Sequence, residues 1–343
     1  MLSSTKRITG VAAVALSLAL AVSGCGKGSG DSNDSSSSGS KAQTITFIPK
    51  NLGNPYFDSS DAAGKKAVGE FGGTYSQVGP QDASPDAQAQ YIDTEAQKHT
   101  NAIVVSANDP KALCDSLNQA KDAGTKVVTF DSDTDPSCRD IFVSPSNTEG
   151  IGKTQVDMIA DQIGDAGEVA ILSASANATN QNAWIDVMKK ELANHPKIKL
   201  VETVYGDDDD QKSFDKTAAL LQKHPNLKGI ISPTTVGIAA AARYLSTSSS
   251  KGKVMLTGLG TPNLMRKYVK DGTVKEFALW NPEDLGYLAA YAAHALVSGD
   301  IKGDEGDKFK AGKLGDFTVG ADKVVVLGDP FKFNASNIDK FNY

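Results

Sequence analysis

From Thr44 to its C-terminus the chain alternates short β-branched runs with stretches of helical periodicity, and this limits its fold more than any other feature. The candidate strands are Thr44–Ile48, Ala102–Ser106, Lys126–Phe130, Glu168–Leu172, Leu200–Tyr205, Gly229–Ser232, Val254–Leu259 and Lys275–Trp280. Between them lie helical stretches. In Asp284–Ser298, for example, Leu285, Leu288, Ala292 and Leu296 share one face, and Asp284 is placed to cap the start. Near-continuous apolar strands need cover on both faces, which predicts parallel sheets flanked by helices.

Two stretches read as one unit used twice. Ala102–Asp133 (AIVVSANDP, helix, TKVVTFDSD) and Gly229–Pro262 (GIISPTT, helix, GKVMLTGLGTP) each give a strand, a polar loop, a helix, a strand and a second polar loop. The full chain has 343 residues, enough for two domains. The expected fold class is therefore α/β, with two similar doubly wound lobes joined by a hinge. In such sheets ligands collect at the carboxyl ends of the strands, so facing lobes would line a cleft with their loops.

Those loops carry Lys50, Asn51, Asn54, Tyr56, Phe57, Asn108, Asp109, Asp131, Asp133, Asn177, Asn180, Gln181, Trp184, Thr234, Thr235, Trp280 and Asn281. Amides and carboxylates can accept from and donate to adjacent hydroxyls, and aromatic rings cover the apolar faces of a pyranose. The set is that of a carbohydrate site. Plainer roles exist for some members: a Lys50–Asp131 salt bridge, Trp184 as helix core, and Tyr56 packed beneath a helix start.

The N-terminus speaks to location. Lys6 and Arg7 precede an apolar run from Val11 to Val22, then Ser23-Gly24-Cys25, which is the charge order of a secretory signal and too short for a membrane span. Cys25, directly after small residues, resembles the lipidated cysteine of bacterial lipoproteins. Gly26 to Ser40 has no apolar residue to bury and reads as a tether, on the order of 20 Å in root-mean-square length. Loss of Lys6 and Arg7 with the signal takes the formal net charge from -6 to -8, which argues against nucleic acid. Cys114 and Cys138 form an even pair in an exported chain, which suggests a disulfide; two buried thiols are the alternative.

Catalytic and metal patterns are missing from the sequence. There is no G-x-S-x-G elbow and no Walker loop, and the four histidines fall in or beside helical stretches, away from the polar loops. Asp131-Ser132-Asp133-Thr134-Asp135 begins like a calcium loop but has Pro136 at the sixth place and Phe142 at the twelfth. The run Asp207 to Asp210 reads as a helix cap. Paired carboxylates leave glycoside hydrolysis as an alternative class, and a membrane-bound sensor would use the same site. No metal or cofactor is expected.

The run PKNLGNPYFD at 49–58 resembles the first strand-to-helix segment of the ribose-type periplasmic sugar-binding proteins. VSANDP (105–110), TFDSD (129–133), ATNQNAWID (178–186), VYGDD (204–208), PTTVGI (233–238), LTGLGTPN (256–263), LWNPEDLGY (279–287) and NASNID (334–339) resemble the rhamnose-binding proteins of ABC importers, whose near relatives bind autoinducer-2. The resemblance implies a type I periplasmic binding protein fold and a lipid-anchored, extracytoplasmic, monomeric protein that hands a small sugar to an ABC transporter permease. Its domains would be a signal over 1–24, a lipidated cysteine and tether over 25–43, a first lobe over 44–146 and 282–312, and a second over 147–281 and 313–343.

Carried over by motif, Lys50 and Asp131 would bond ligand hydroxyls from the first lobe and Asn180 with Gln181 from the second. Pro233 and Thr235 would add contacts, and Phe57, Trp184 and Trp280 would form apolar walls. Asn51, Asn54, Asp109 and Asn281 complete the expected set. Two departures bear on the ligand. Ser132 and Gly260 stand where ribose binders have arginine and aspartate, which disfavours ribose. Asn180 stands where autoinducer-2 binders have aspartate, which moves the balance toward rhamnose.

Overall fold

A computed structural model describes residues 42–343; the expected signal over 1–24, Cys25 and the tether as far as residue 41 lie outside the described residues. The first sheet contains β1 (Thr44–Ile48), β2 (Thr74–Gln77), β3 (Ala102–Val105), β4 (Lys126–Phe130) and β5 (Ile141–Ser144), in the spatial order β5-β4-β3-β1-β2 and all parallel. The second contains β6 (Gly167–Ser173), β7 (Ile198–Tyr205), β8 (Leu227–Ser232) and β9 (Met255–Gly258), ordered β7-β6-β8-β9 and again parallel. Beyond β9, strand β10 (Glu276–Leu279) is joined by a parallel bridge from Leu259 to Ala278. The two lobes thus share one topology, and the repeated unit in the sequence is the β3-to-β4 and β8-to-β9 crossover.

The helices are α1 (Pro55–Glu70), α2 (Pro85–Gln97), α3 (Cys114–Asp122), α4 (Thr148–Ile163), α5 (Thr179–Leu192), α6 (Asp210–Lys223), α7 (Thr235–Thr247), α8 (Pro262–Lys270) and α9 (Pro282–Ser298). Register places the site: Ile48 lies opposite Val105 and Val105 opposite Thr129, so the loops after β1, β3 and β4 open on one edge. Helix α9 returns to the first lobe and packs on α1, where a Cβ at Gly286 would sit 1.9 Å from the Ser60 carbonyl oxygen. Only glycine permits that approach.

Four further short strands complete the chain: β11 (Lys308–Lys310), β12 (Asp316–Thr318), β13 (Val324–Val326) and β14 (Phe331–Asn334). Strand β12 pairs with β11, and β13 runs parallel to β5 at the edge of the first sheet, with Val325 opposite Val143. The expected boundary at 312/313 is therefore wrong. The chain stays with the first lobe through Val326 and rejoins the second when β14 pairs antiparallel with β10. Lobe crossings follow β5, β10 and β13. Arg139 ties down the last of them by a bidentate pair to Asp133 (2.7 and 2.8 Å) and a bond to the Asp322 carbonyl oxygen (3.0 Å).

Cys114 and Cys138 are disulfide-bonded, with Cα atoms 5.2 Å apart. The bridge clips the start of α3 to the turn between β4 and β5. No helix among the described residues is long and apolar enough to cross a membrane.

Candidate functional site

The strand-end loops meet in a cavity with about 370 Å³ of atom-free space, part of it open to solvent. Its first-lobe wall starts at Lys50, just past β1. Buried Gln88 of α2 fixes that loop by donating to the carbonyl oxygens of Pro49 (3.1 Å) and Ser106 (2.7 Å), and Asn108 donates to the Lys50 carbonyl oxygen (2.9 Å). The Lys50 ammonium reaches across the cleft and donates to Asn180 Oδ1 (3.1 Å). Among the described residues it forms no salt bridge to Asp131.

Asp131 follows β4 in a left-handed conformation, φ 62°, which turns its side chain inward. Its Oδ1 accepts from the Tyr56 hydroxyl (2.9 Å), and its Oδ2 accepts from Ser106 (2.8 Å) and, more weakly, from Asn180 Nδ2 (3.4 Å). Burial raises the Asp131 pKa above the ordinary carboxylate range, and Lys50, Ser106 and Tyr56 oppose that rise. Burial likewise raises the Tyr56 pKa well above its usual value, so the hydroxyl remains a donor.

From the second lobe, Asn180 and Gln181 enter on the first turn of α5. Gln181 Oε1 accepts from Ser173 Oγ and from Ala174 N, both at 2.7 Å, so its amide NH₂ is the group left to face the cavity. Pro233 and Thr234 join β8 to α7, and Thr235 opens that helix; all three line the cavity. Thr234 caps α7 and also donates to Asp208, a second carboxylate in the cavity wall. Asp208 has φ 50°, and burial raises its pKa, with Lys50 first among the opposing causes.

Aromatic rings cover one side. Trp280, at the end of β10, donates from Nε1 to the Tyr56 oxygen (2.8 Å), and its ring lies 5.7 Å from that of Trp184. Phe57 stands edge-on to Tyr56 with centroids 5.1 Å apart.

Ten expected site residues line this cavity: Lys50, Asn54, Phe57, Asp131, Asn180, Gln181, Trp184, Pro233, Thr235 and Trp280. Three do not. Asn51 lies outside, at an adjoining mouth of the cleft near Gln81 and Asp207. Asp109 accepts from the backbone N–H groups of Lys111 and Ala112 (both 2.8 Å), and Asn281 accepts from Glu283 N (2.9 Å). Both are spent on local turn and helix capping, and Asn281, not Asp284, caps α9. Tyr56 and Thr234, from the wider set of loop residues, also line the cavity, and Asp208, Leu259 and Leu279 line it without having been expected there. Of the acidic run, Asp209 does cap α6, accepting from Lys212 N (2.7 Å).

The cavity offers carboxylate acceptors, ammonium and amide donors and aromatic faces. Such a set of groups can pair with several hydroxyls at once.

Residues 45–301 match the family model described as periplasmic binding protein domain. The chain belongs to this family: it is a two-lobed, extracytoplasmic solute-binding protein and not an enzyme, of the kind that serves sugar ABC transporters. Three solved structures are informative, and each aligns with 88% of this chain. A sugar ABC transporter protein from Actinomyces odontolyticus is 57% identical, with 98% of its chain covered and a TM-score of 0.71. An ABC transporter solute-binding protein from Clostridium phytofermentas with bound L-rhamnose is 38% identical, with 98% covered and a TM-score of 0.85. LsrB from Clostridium saccharobutylicum in complex with AI-2 is 27% identical, with 100% covered and a TM-score of 0.82.

Proposed function

We propose that this chain is the substrate-binding lipoprotein of a sugar ABC importer and that its ligand is L-rhamnose, captured between the lobes and delivered to the permease. The observation that carries this reading is the cavity in which Lys50 and Asp131 of one lobe meet Asn180 and Gln181 of the other. A sugar contacting both sets favours the closed arrangement by its differential affinity for it. Cys25 would anchor the protein outside the membrane, keeping it near its permease; mass spectrometry of the mature N-terminus that found an unmodified residue would overturn the anchor.

Two details favour rhamnose. Asn180 both accepts from Lys50 and donates toward Asp131, a dual role that an aspartate there could not fill while ionised. A Cβ at Gly260 would lie 2.7 Å from Met265 Cγ and 3.1 Å from Ile238 Cγ2, so the aspartate of the ribose pattern would fit only with a shift of those side chains. The comparisons add support. The rhamnose-bound protein is 38% identical to this chain, against 27% for the AI-2 complex.

The AI-2 complex of a relative keeps autoinducer-2 as a second reading. Thermal-shift measurements with L-rhamnose, D-ribose, D-allose, D-arabinose and autoinducer-2 separate the two. L-rhamnose at a hundred times its Kd is expected to stabilise the protein by about 2.7 kcal/mol. Stabilisation by autoinducer-2 alone would reverse the assignment.

A further inference from the structure

Asp208 is a carboxylate that the fold alone does not explain. It sits after β7 with a left-handed backbone, φ 50°, and lines the cavity rather than capping α6, a role its neighbour Asp209 performs. Among the described residues its side chain receives one hydrogen bond, from Thr234. An ionised carboxylate can accept about four, so most of its capacity is unused. Asp208 is half-buried, and the space in front of it is the cavity and the adjoining mouth of the cleft, where a ligand hydroxyl can reach its free lone pairs. The charged side chains in the cavity wall are Lys50, Asp131 and Asp208, one cation against two anions.

Resting on the sugar-binding reading above, we propose that Asp208 is a ligand-binding residue. It accepts hydroxyls from the second-lobe side as Asp131 does from the first, and its charge restricts the site to neutral sugars, excluding uronates and sugar phosphates. A ligand donating to both carboxylates is gripped from both lobes. An anionic sugar would set a third negative charge in a partly dehydrated space holding a single ammonium.

Calorimetry on the mature protein tests this, using whichever of L-rhamnose, D-ribose, D-allose and D-arabinose binds most tightly. Asp208→Asn keeps the shape and tolerates a left-handed backbone, and should weaken that sugar by about tenfold or more, as loss of a charged acceptor implies. Thr234→Val leaves the carboxylate in place and should cost less. D-galacturonate should not compete for the wild-type site. Unchanged affinity in Asp208→Asn, a larger loss in Thr234→Val, or galacturonate binding as tightly as the neutral sugar would each overturn the role of Asp208 and leave the sugar-binding reading standing. Failure of all four neutral sugars to bind the wild type would overturn both.

Discussion

The two lobes present one carboxylate each, Asp131 and Asp208, and hold them in opposite ways. Asp131 is buried and committed: Tyr56, Ser106 and Asn180 donate to it, and Tyr56 is itself held by Trp280. Asp208 has Thr234 alone. The same contrast runs through the loops around them. In the first lobe, Asn108 is spent on the Lys50 carbonyl oxygen and Gln88 on those of Pro49 and Ser106, whereas the matching loop of the second lobe, Pro233 to Thr235, faces the cavity directly. One topology used twice has been divided into a preorganised half and a half with binding capacity to spare.

That division can be attacked where it is strongest. Asp131→Ala removes the acceptor around which the first-lobe network is built, and should weaken sugar binding about a hundredfold or more, since each hydrogen bond to a charged group is worth about 1.5–3 kcal/mol. Titration calorimetry reads this directly. A loss smaller than that of Asp208→Asn would invert the roles of the lobes.

Acid should act through the same two groups. Both pKa values are raised by burial, so protonation begins above the usual carboxylate range. Hydroxyl donors favour the ionised form, so wild-type affinity should fall as pH is lowered through those raised values. The free protein responds with the other sign: the folded state binds these protons more readily than the unfolded state, so the contribution of these groups to stability grows as pH falls toward the unfolded pKa. Affinity that rises on acidification would exclude both carboxylates as ionised acceptors.

The smallest effect on binding should come from the disulfide, which staples the first-lobe crossover and has no counterpart in the second. Replacing Cys114 and Cys138 by serine should cost about 3 kcal/mol of stability from loop entropy, with sugar affinity unchanged in protein that remains folded. Chemical denaturation beside calorimetry separates the two quantities. A large loss of affinity at full folding would mean that the staple positions the site.

Much of the fold was legible because eight strands carry dense β-branched runs whose alternation with helices leaves few topologies. Of the elements that escaped, β5 (IFVS) and β14 (FKFN) carry apolar residues but are only four residues long, and the others have weak local patterns. Strand β2 reads TYSQ and is largely exposed, and β11 to β13 have three residues each. Nothing local says that Val324–Val326 must pair with β5 instead of joining the second lobe; only the unfilled sheet edge decides that.

The site was legible to the extent that strand ends predict loops. Lys50, Asp131, Asn180 and Gln181 follow from that rule. Asp109 and Asn281 cap a turn and a helix instead of lining the cavity, since the residues suited to sugar hydroxyls are also those that cap. Asp208 lies in an acidic run that reads as a cap, and nothing in that run of identical residues separates it from Asp209, which does the capping. Tyr56 was expected to be packing; it is buried, yet its hydroxyl is the link between Asp131 and Trp280.

The most direct measurement is a crystal structure of the mature protein with L-rhamnose. Hydroxyl oxygens are expected within about 3 Å of both the Asp131 and Asp208 carboxylates. A sugar that contacts Asp131 while Asp208 keeps only Thr234 would contradict the part of Asp208 in the grip, and one that touches neither Asp208 nor Asn180 and Gln181 would contradict a grip from both lobes.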